Sequence, residues 1–264
     1  MGLGRRYQKT SKVISDVPCH DNANMLRIGT AGWNVPAALS GRFPAAGSHL
    51  ERYATRLNCV EINSSFYRPH QKTTYARWAN STPATFRFAV KLPKSISHAA
   101  ALQFVPEDLE RFMSEVDGLG AKLGVILVQF PPRLAFDQAA AGVLFDALRH
   151  HTKEGIACGP RHASWFAPEV DNWMIERRIA RVAADPSRAP GAGDPGGCRE
   201  LFYMRLHGSP RIYYSSYDEQ DLDSVATKLE IIAGSASVWC IFDNTAAGAA
   251  MDNAICIAGR MSSD

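Results

Sequence analysis

No pair among the six cysteines has the CxxC spacing of a zinc knuckle or a dithiol redox motif. Cys19, Cys59, Cys158, Cys198, Cys240 and Cys256 stand singly, several of them in apolar runs, which is the pattern of buried, reduced thiols. No apolar run reaches the about 18 residues that a membrane-spanning helix needs. The opening stretch "MGLGRRYQKTSKVISDVPCHDNAN" has no continuous apolar segment of the signal-peptide kind. The expectation is therefore a cytoplasmic chain with no membrane partner. No Walker sequence occurs, and "GTAGW", after the first strand-like run, lacks the GxGxxG glycine spacing that cradles a pyrophosphate. No cofactor is expected. Charge of one sign is scarce: 29 basic against 26 acidic residues leave a net +3, too weak to indicate a nucleic-acid surface.

What is present is a regular alternation. With 46% hydrophobic residues in 264, the chain can bury a sizeable core. Residues 1–24 read as a flexible N-terminal extension, and 25–264 as one domain. Eight strand-like runs follow the extension: "LRIGTAGW", "CVEINSSFY", "FRFAVKLP", "LGVILVQFPP", "GIACGPR", "RIARVAAD", "FYMRLHGS" and "VWCIFDNT". Most are separated by stretches of helical period. "GSHLERYATRLN" places Leu50, Tyr53, Ala54 and Leu57 on one face behind a capping Ser48. Pro106, Glu107 and Asp108 mark another helix start. Alternating strands and helices predict a parallel sheet, and eight units in this length predict a single-domain (β/α)8 TIM barrel. The exception is "PSRAPGAGDPGGCRE", a Pro/Gly-rich loop that replaces the helix between strands six and seven. An open doubly wound sheet is the rival architecture.

Side chains alternate between the two faces of a strand, so the polar face of each strand points into the barrel. This rule sends Cys59, Glu61 and Asn63 inward from strand two, and Arg87, Ala89 and Lys91 from strand three. It adds Gln129, Arg161, Asp185, then Tyr203, Arg205 and His207, and finally Trp239 and Asp243. Inward polar residues gather towards the strand ends, where barrel enzymes place their sites. The inward cations Arg87, Lys91, Arg161 and Arg205 outnumber the carboxylates, which predicts an anionic ligand. Glu61 with Lys91, and Arg205 with Asp243, could also be compensating ion pairs on neighbouring strands.

The motifs "IGTAGW", "VEINSSFYRPHQKTTYARWANSTP", "FRFAVKLPKSISH", "LGVILVQFPPRLAFD", "PRHASWF", "LHGSPRIYYSSY" and "WCIFDNTAAGAA" occur in that order over residues 27–250. In them the chain resembles the YecE-like family (domain of unknown function 72). The resemblance implies a TIM barrel of xylose-isomerase and endonuclease IV type, and no particular reaction. The family often has a glutamate before the proline of "PRHxSW"; Gly159 stands there in this chain, which puts any role of that carboxylate in doubt.

Three chemistries fit these residues. The first is an enzyme without a metal, a hydrolase, lyase or isomerase, acting on a small phosphate- or carboxylate-bearing ligand. In it His207 is the general acid/base. Glu61 or Asp243 orients it or carries a second proton, and Lys91 is an electrostatic stabiliser or a Schiff-base lysine. Arg161 and Arg205 hold the anion. Asn63, Gln129 and Asn244 join the binding site, and Trp33, Tyr67 and Trp165 form its walls. Asn244 or Thr245 caps the last helix or binds a phosphate there. The second chemistry is a metal-dependent isomerase or phosphodiesterase, for which Glu61, His98, His162, Asp185, His207 and Asp243 are dispersed and crowded by cations. The third is a non-catalytic module for nucleic acid or a metabolite, using Arg5, Arg6, Lys9, Lys12 and the Tyr213, Tyr214 and Tyr217 cluster. That tyrosine segment also reads as a lid.

Overall fold

The computed structural model describes residues 25–187 and 189–262; the extension, with Arg5, Arg6, Lys9, Lys12 and Cys19, lies outside them. The elements run β1 (Leu26–Thr30), α1 (His49–Tyr53), β2 (Cys59–Ile62), α2 (Lys72–Asn80), β3 (Arg87–Lys91), α3 (Lys94–Ser97), α4 (Pro106–Val116) and β4 (Leu123–Gln129). They continue α5 (Gln138–His151), β5 (Gly155–Gly159), α6 (Pro168–Glu176), β6 (Ile179–Arg181), β7 (Ala183–Asp185) and β8 (Gly196–Gly197). The last are β9 (Leu201–Leu206), α7 (Glu219–Ile232), β10 (Ser237–Phe242) and α8 (Ala249–Arg260). Local chemistry accounts for several boundaries. Ser48 and Glu51 close a capping box on α1, Asp218 and Asp221 close one on α7, and Asp137 caps α5.

This is a mixed α/β fold with two sheets, ordered β1-β10-β9-β7 and β2-β3-β4-β5-β6-β8. Every pairing is parallel except that of the two-residue β8 with β6. The run expected as strand six is split at Val182, its first half pairing with β5 and its second with β9. Val182 itself donates to the Cys158 carbonyl at 2.8 Å. Between β1 and β2, side chains supplement a single bridge, Ala31 to Glu61. The Tyr53 hydroxyl accepts from Thr30 N at 2.9 Å and donates to Cys59 O at 2.8 Å. Asn58 accepts from Ile28 N and donates to Leu26 O, both at 2.9 Å. These four bonds satisfy backbone groups that a regular ladder would otherwise pair.

The strand parity separates two apolar clusters. The larger lies between strands and helices and includes Val60, Ile62, Phe88, Val90 and Met204. The smaller lies on the opposite strand faces: Cys59, Ala89, Val125, Leu127, Ala157, Ala180, Val182, Leu201, Tyr203, Trp239 and Ile241. Small residues dominate it because Trp239 and Tyr203 stack there at 6.0 Å. A Cβ on Gly124 would stand 2.5 Å from the Trp239 ring.

Two of the inward residues expected at the site are corrected here, Arg87 in its height along the strand and Asp185 in its face. Arg87 opens β3, so it sits at the opposite end from the site, and donates to the carbonyls of Ala84 and Phe86. Asp185 follows the parity of Ala183, whose side chain packs in the larger cluster. Its carboxylate accepts from Tyr217 at 2.6 Å and lines a different recess with Asp221 and Lys228.

Gly29 lies where β1 meets β2: a Cβ there would be 2.2 Å from Cys59 O and 2.9 Å from Cys59 Sγ. Gly29→Ala should cost at least about 1–3 kcal/mol in denaturant unfolding. Gly41→Ala, with open space around it, should stay within about 0.5 kcal/mol. Equal effects would mean that β1 and β2 do not approach this closely.

Candidate functional site

Arg205 points from β9 into the interior and is 1% exposed. All five of its N–H donors are engaged. Nε donates to Glu61 Oε2 at 3.0 Å, and Nη2 to Glu61 Oε1 at 2.9 Å and Asp243 Oδ2 at 2.8 Å. Nη1 donates to Gln129 Oε1 at 3.2 Å and His207 Nε2 at 3.1 Å. Glu61 is wholly buried and also accepts from the Tyr203 hydroxyl at 2.8 Å. Burial alone would raise the Glu61 pKa; the charges of Arg205 and Lys91 and the bonds from Arg205 and Tyr203 bring it below its ordinary value. Burial would likewise lower that of Arg205, and Glu61 and Asp243 hold it above its ordinary range. Asp243 is held above the usual carboxylate range by burial, against the pull of Arg205.

Guanidinium offers only donors, so the Arg205 contact assigns His207 Nε2 as an acceptor. A neutral ring then carries its proton on Nδ1, which faces the Asp185 carbonyl at 3.2 Å. The lone pair needed by a general base is therefore directed at Arg205. This geometry assigns His207 to orienting Arg205, a correction to the acid/base role expected of it. Glu61 is corrected in the same way: it is a buried counter-ion that no ligand reaches. Arg205, likewise, has no donor left for a substrate. The Glu61 partner is Arg205 rather than Lys91 within ion-pair distance, while the expected Arg205–Asp243 pair is present.

Beside this layer lies a small cavity of ≈ 40 Å³, partly open to solvent, lined among others by Gln129, Arg161, Phe166, His207, Ile212 and Tyr213. Gln129, Arg161 and His207 thus meet, while Arg205 does not line it. Arg161 is half-buried, and makes no hydrogen bond or ion pair among the described residues. Lys91, half-buried at the end of β3, lies over the Phe66 ring at 4.6 Å from its centroid. Burial, with Arg205, pushes its pKa down to about 8 against the pull of Glu61 and Asp243.

The remaining expected residues do not join this cavity. Trp33 packs edge-on to Trp78 at 5.0 Å and, with Asn63, lines a separate recess beside His49 and Ser64. Tyr67 is 80% exposed and stands edge-on to Phe66. Trp165 is wholly buried between Phe130 and Phe136 and donates to Leu134 O. Its expected wall role falls to the neighbouring Phe166. Asn244 is wholly buried and donates to Ser215 O and Asn253 Oδ1, both at 2.9 Å. Gly248, not Asn244 or Thr245, precedes α8 at the cap position. Of the three tyrosines, Tyr213 covers His207, Tyr214 stacks on Arg211, and Tyr217 is buried against Asp185. Among the described residues no three His, Cys, Asp or Glu side chains gather so as to hold a metal ion. No helix there is long and apolar enough to cross a membrane.

The family model described as "Protein of unknown function DUF72" matches residues 27–264. The chain belongs to this family. The UPF0759 protein YecE of Escherichia coli is 29% identical over 178 residues, 65% of this chain and 62% of that one. The chain therefore spans less than two thirds of that relative's length. A DUF72 family protein of Enterococcus faecalis shares the fold, with a TM-score of 0.77 and 22% identity over 91% of this chain and 96% of that one. A sugar phosphate isomerase/epimerase of Parabacteroides distasonis superposes with a TM-score of 0.50 and 10% identity, covering 90% of this chain and 96% of that one, a likeness of fold. Within the DUF72 chain, Gly159 lies against Gln129. A Cβ at 159 would stand 2.8 Å from Gln129 Oε1, and Gln129 Nε2 donates to the Gly159 carbonyl. A side chain at 159 and this position of Gln129 exclude one another.

Arg205→Met leaves Glu61 and Asp243 buried without their cation. It should cost about 3–5 kcal/mol at neutral pH, with part of the loss recovered in acid as the carboxyls protonate. A pH-independent loss in denaturant titrations would contradict the ion layer. Lys91 acts at the alkaline end of the range. Its folded pKa is lowered, so between about 8 and the unfolded value of about 10.4 the unfolded chain binds more protons. Stability then rises with pH across that window. The stability gap between Lys91→Met and the native chain should shift in favour of the native chain from pH 8 to about 10.4. A constant gap would mean that Lys91 is not desolvated.

Proposed function

We propose that this chain is an enzyme or enzyme-like protein that binds a small molecule by its phosphate or carboxylate group at the C-terminal ends of the strands. Arg161 carries this reading. It lines the cavity, is half-buried, and makes no hydrogen bond or ion pair within 4 Å among the described residues, although the charge of Asp243 reaches it from farther away. A partly desolvated cation is costly unless it is paired in use, and its forked donors suit a carboxylate or phosphate. Lys91 adds a second cation, and both nearby carboxylates, Glu61 and Asp243, already bond Arg205. Burial raises the Asp243 pKa and lowers that of Lys91, so both are shifted towards their neutral forms.

We further propose that residues 25–264 form one domain whose two sheets close into an eight-stranded (β/α)8 barrel, in a cytoplasmic protein. The support is the pair of seams: the Tyr53 and Asn58 bonds between β1 and β2, and the continuous passage of residues 179–185 from one sheet to the other. Closure would put the cavity at the usual location of barrel active sites.

The test is thermal unfolding with and without millimolar inorganic phosphate at fixed ionic strength. A ligand of the folded state raises the midpoint, by about 2.7 kcal/mol of stability at a hundredfold excess over Kd. The rise should be present in the native chain and lost in Arg161→Ala. An equal rise in both, or none with phosphate or with small carboxylates, would refute the site.

A further inference from the structure

Lys91 is the last residue of β3; the charges of Glu61 and Asp243 attract it, and those of Arg205 and Arg161 oppose it. Its ammonium lies on one aromatic ring, Phe66, whose edge contacts include His98 at 5.1 Å. Among the described residues it makes no hydrogen bond and no ion pair within 4 Å. A structural lysine of this burial would be bonded. Lys122, at the other end of the fold, shows that pattern: its ammonium donates to Ala79 O, Thr82 O and Thr82 Oγ1. Lys91 instead has only the Phe66 ring against its nitrogen, and lies within the electrostatic reach of Arg161 and of Asp243, which is 7% exposed.

We propose that Lys91 captures carbonyl compounds: the substrate is a small aldehyde or ketone bearing a carboxylate or phosphate, Arg161 holds the anion, and Lys91 Nζ forms an imine with the carbonyl carbon. The inference rests on the anion site proposed above and names its substrate class. The unprotonated Nζ lone pair adds to the carbonyl carbon, forming a C–N bond, while the carbonyl π pair moves to oxygen. That oxygen takes a proton from the Asp243 carboxyl, and the added nitrogen returns one to its carboxylate. The carbinolamine then loses its hydroxyl with a second proton as water, so amine and carbonyl become imine and water. No oxidant or reductant is consumed. Burial of Asp243 favours the protonated form that this step needs, and burial of Lys91 favours the free amine.

The experiment is reductive trapping. The native chain is incubated near neutral pH with glyoxylate and cyanoborohydride, which delivers hydride to the imine carbon, and the adduct is located by peptide mass mapping. One adduct should form on Lys91 at least about tenfold faster than on exposed lysines, since each unit of lowered pKa gives tenfold more free amine. Lys91→Arg should abolish it. Arg161→Ala should slow labelling by glyoxylate but not by the uncharged propionaldehyde. Labelling spread evenly over exposed lysines, in a chain that still responds to phosphate, overturns the imine alone. Lys91 labelled equally fast by both aldehydes, in a chain indifferent to phosphate, overturns the anionic substrate together with the anion site. Mapping on the native chain decides the matter even if a variant fails to fold.

Discussion

The guanidinium of Arg205 is the constraint on which the interior depends. It belongs to β9 in the four-stranded sheet, and two of its acceptors, Glu61 and Gln129, belong to β2 and β4 in the other. The remaining two, Asp243 and His207, follow β10 and β9. One side chain therefore ties both sheets through five bonds. Such a group is not a cheap source of stability, because an apolar set of the same volume can do as well. What it supplies is registry: a donor that leaves its position strands a charge, so the strand ends are held at one relative height.

This layer also decides which groups can meet a ligand. Glu61, Arg205 and the Nε2 of His207 satisfy one another and are closed off. The cationic surplus survives the loss of Arg87 to the opposite end of the fold, because Arg161 and Lys91 bond no carboxylate among the described residues. Tyr203 and Trp239 fill the interior beneath it, so the ion layer has an apolar floor and a polar roof. In such a medium Asp243 and Lys91 are both pushed towards their neutral forms, and Glu61, which receives three charge-assisted or hydroxyl bonds, is not.

The alternation of polar and apolar side chains was legible from the start. Cys59, Ala89, Tyr203 and Trp239 lie in the inner cluster, and Val60 and Ile62 in the outer one, as their parity required. Parity says nothing about height along a strand, which is why Arg87 was grouped with Lys91, four residues further on. It also fails where polarity is used to choose the face. Its charge suggests an inward Asp185, but Ala180 and Val182 set the inner face and send it outward. Trp165 and Phe166 are adjacent aromatic residues in a short turn, and no local signal distinguishes the one that is buried from the one that lines the cavity.

By itself, the sequence determined the succession of strands and helices, their caps and the two-residue alternation, because these follow from local sterics, hydrogen bonding and the period of each element. It also carried the family resemblance in its strand-end motifs. Only the tertiary structure decided that Arg205 bonds Glu61 across 144 positions of chain, that His207 offers its lone pair to that arginine, and that Arg161 and Lys91 form no ion pair within 4 Å among the described residues. The reason is that an ion pair or a proton position is a property of distances between strands. Residue types fix only what each group can donate or accept, and packing chooses which of them meet.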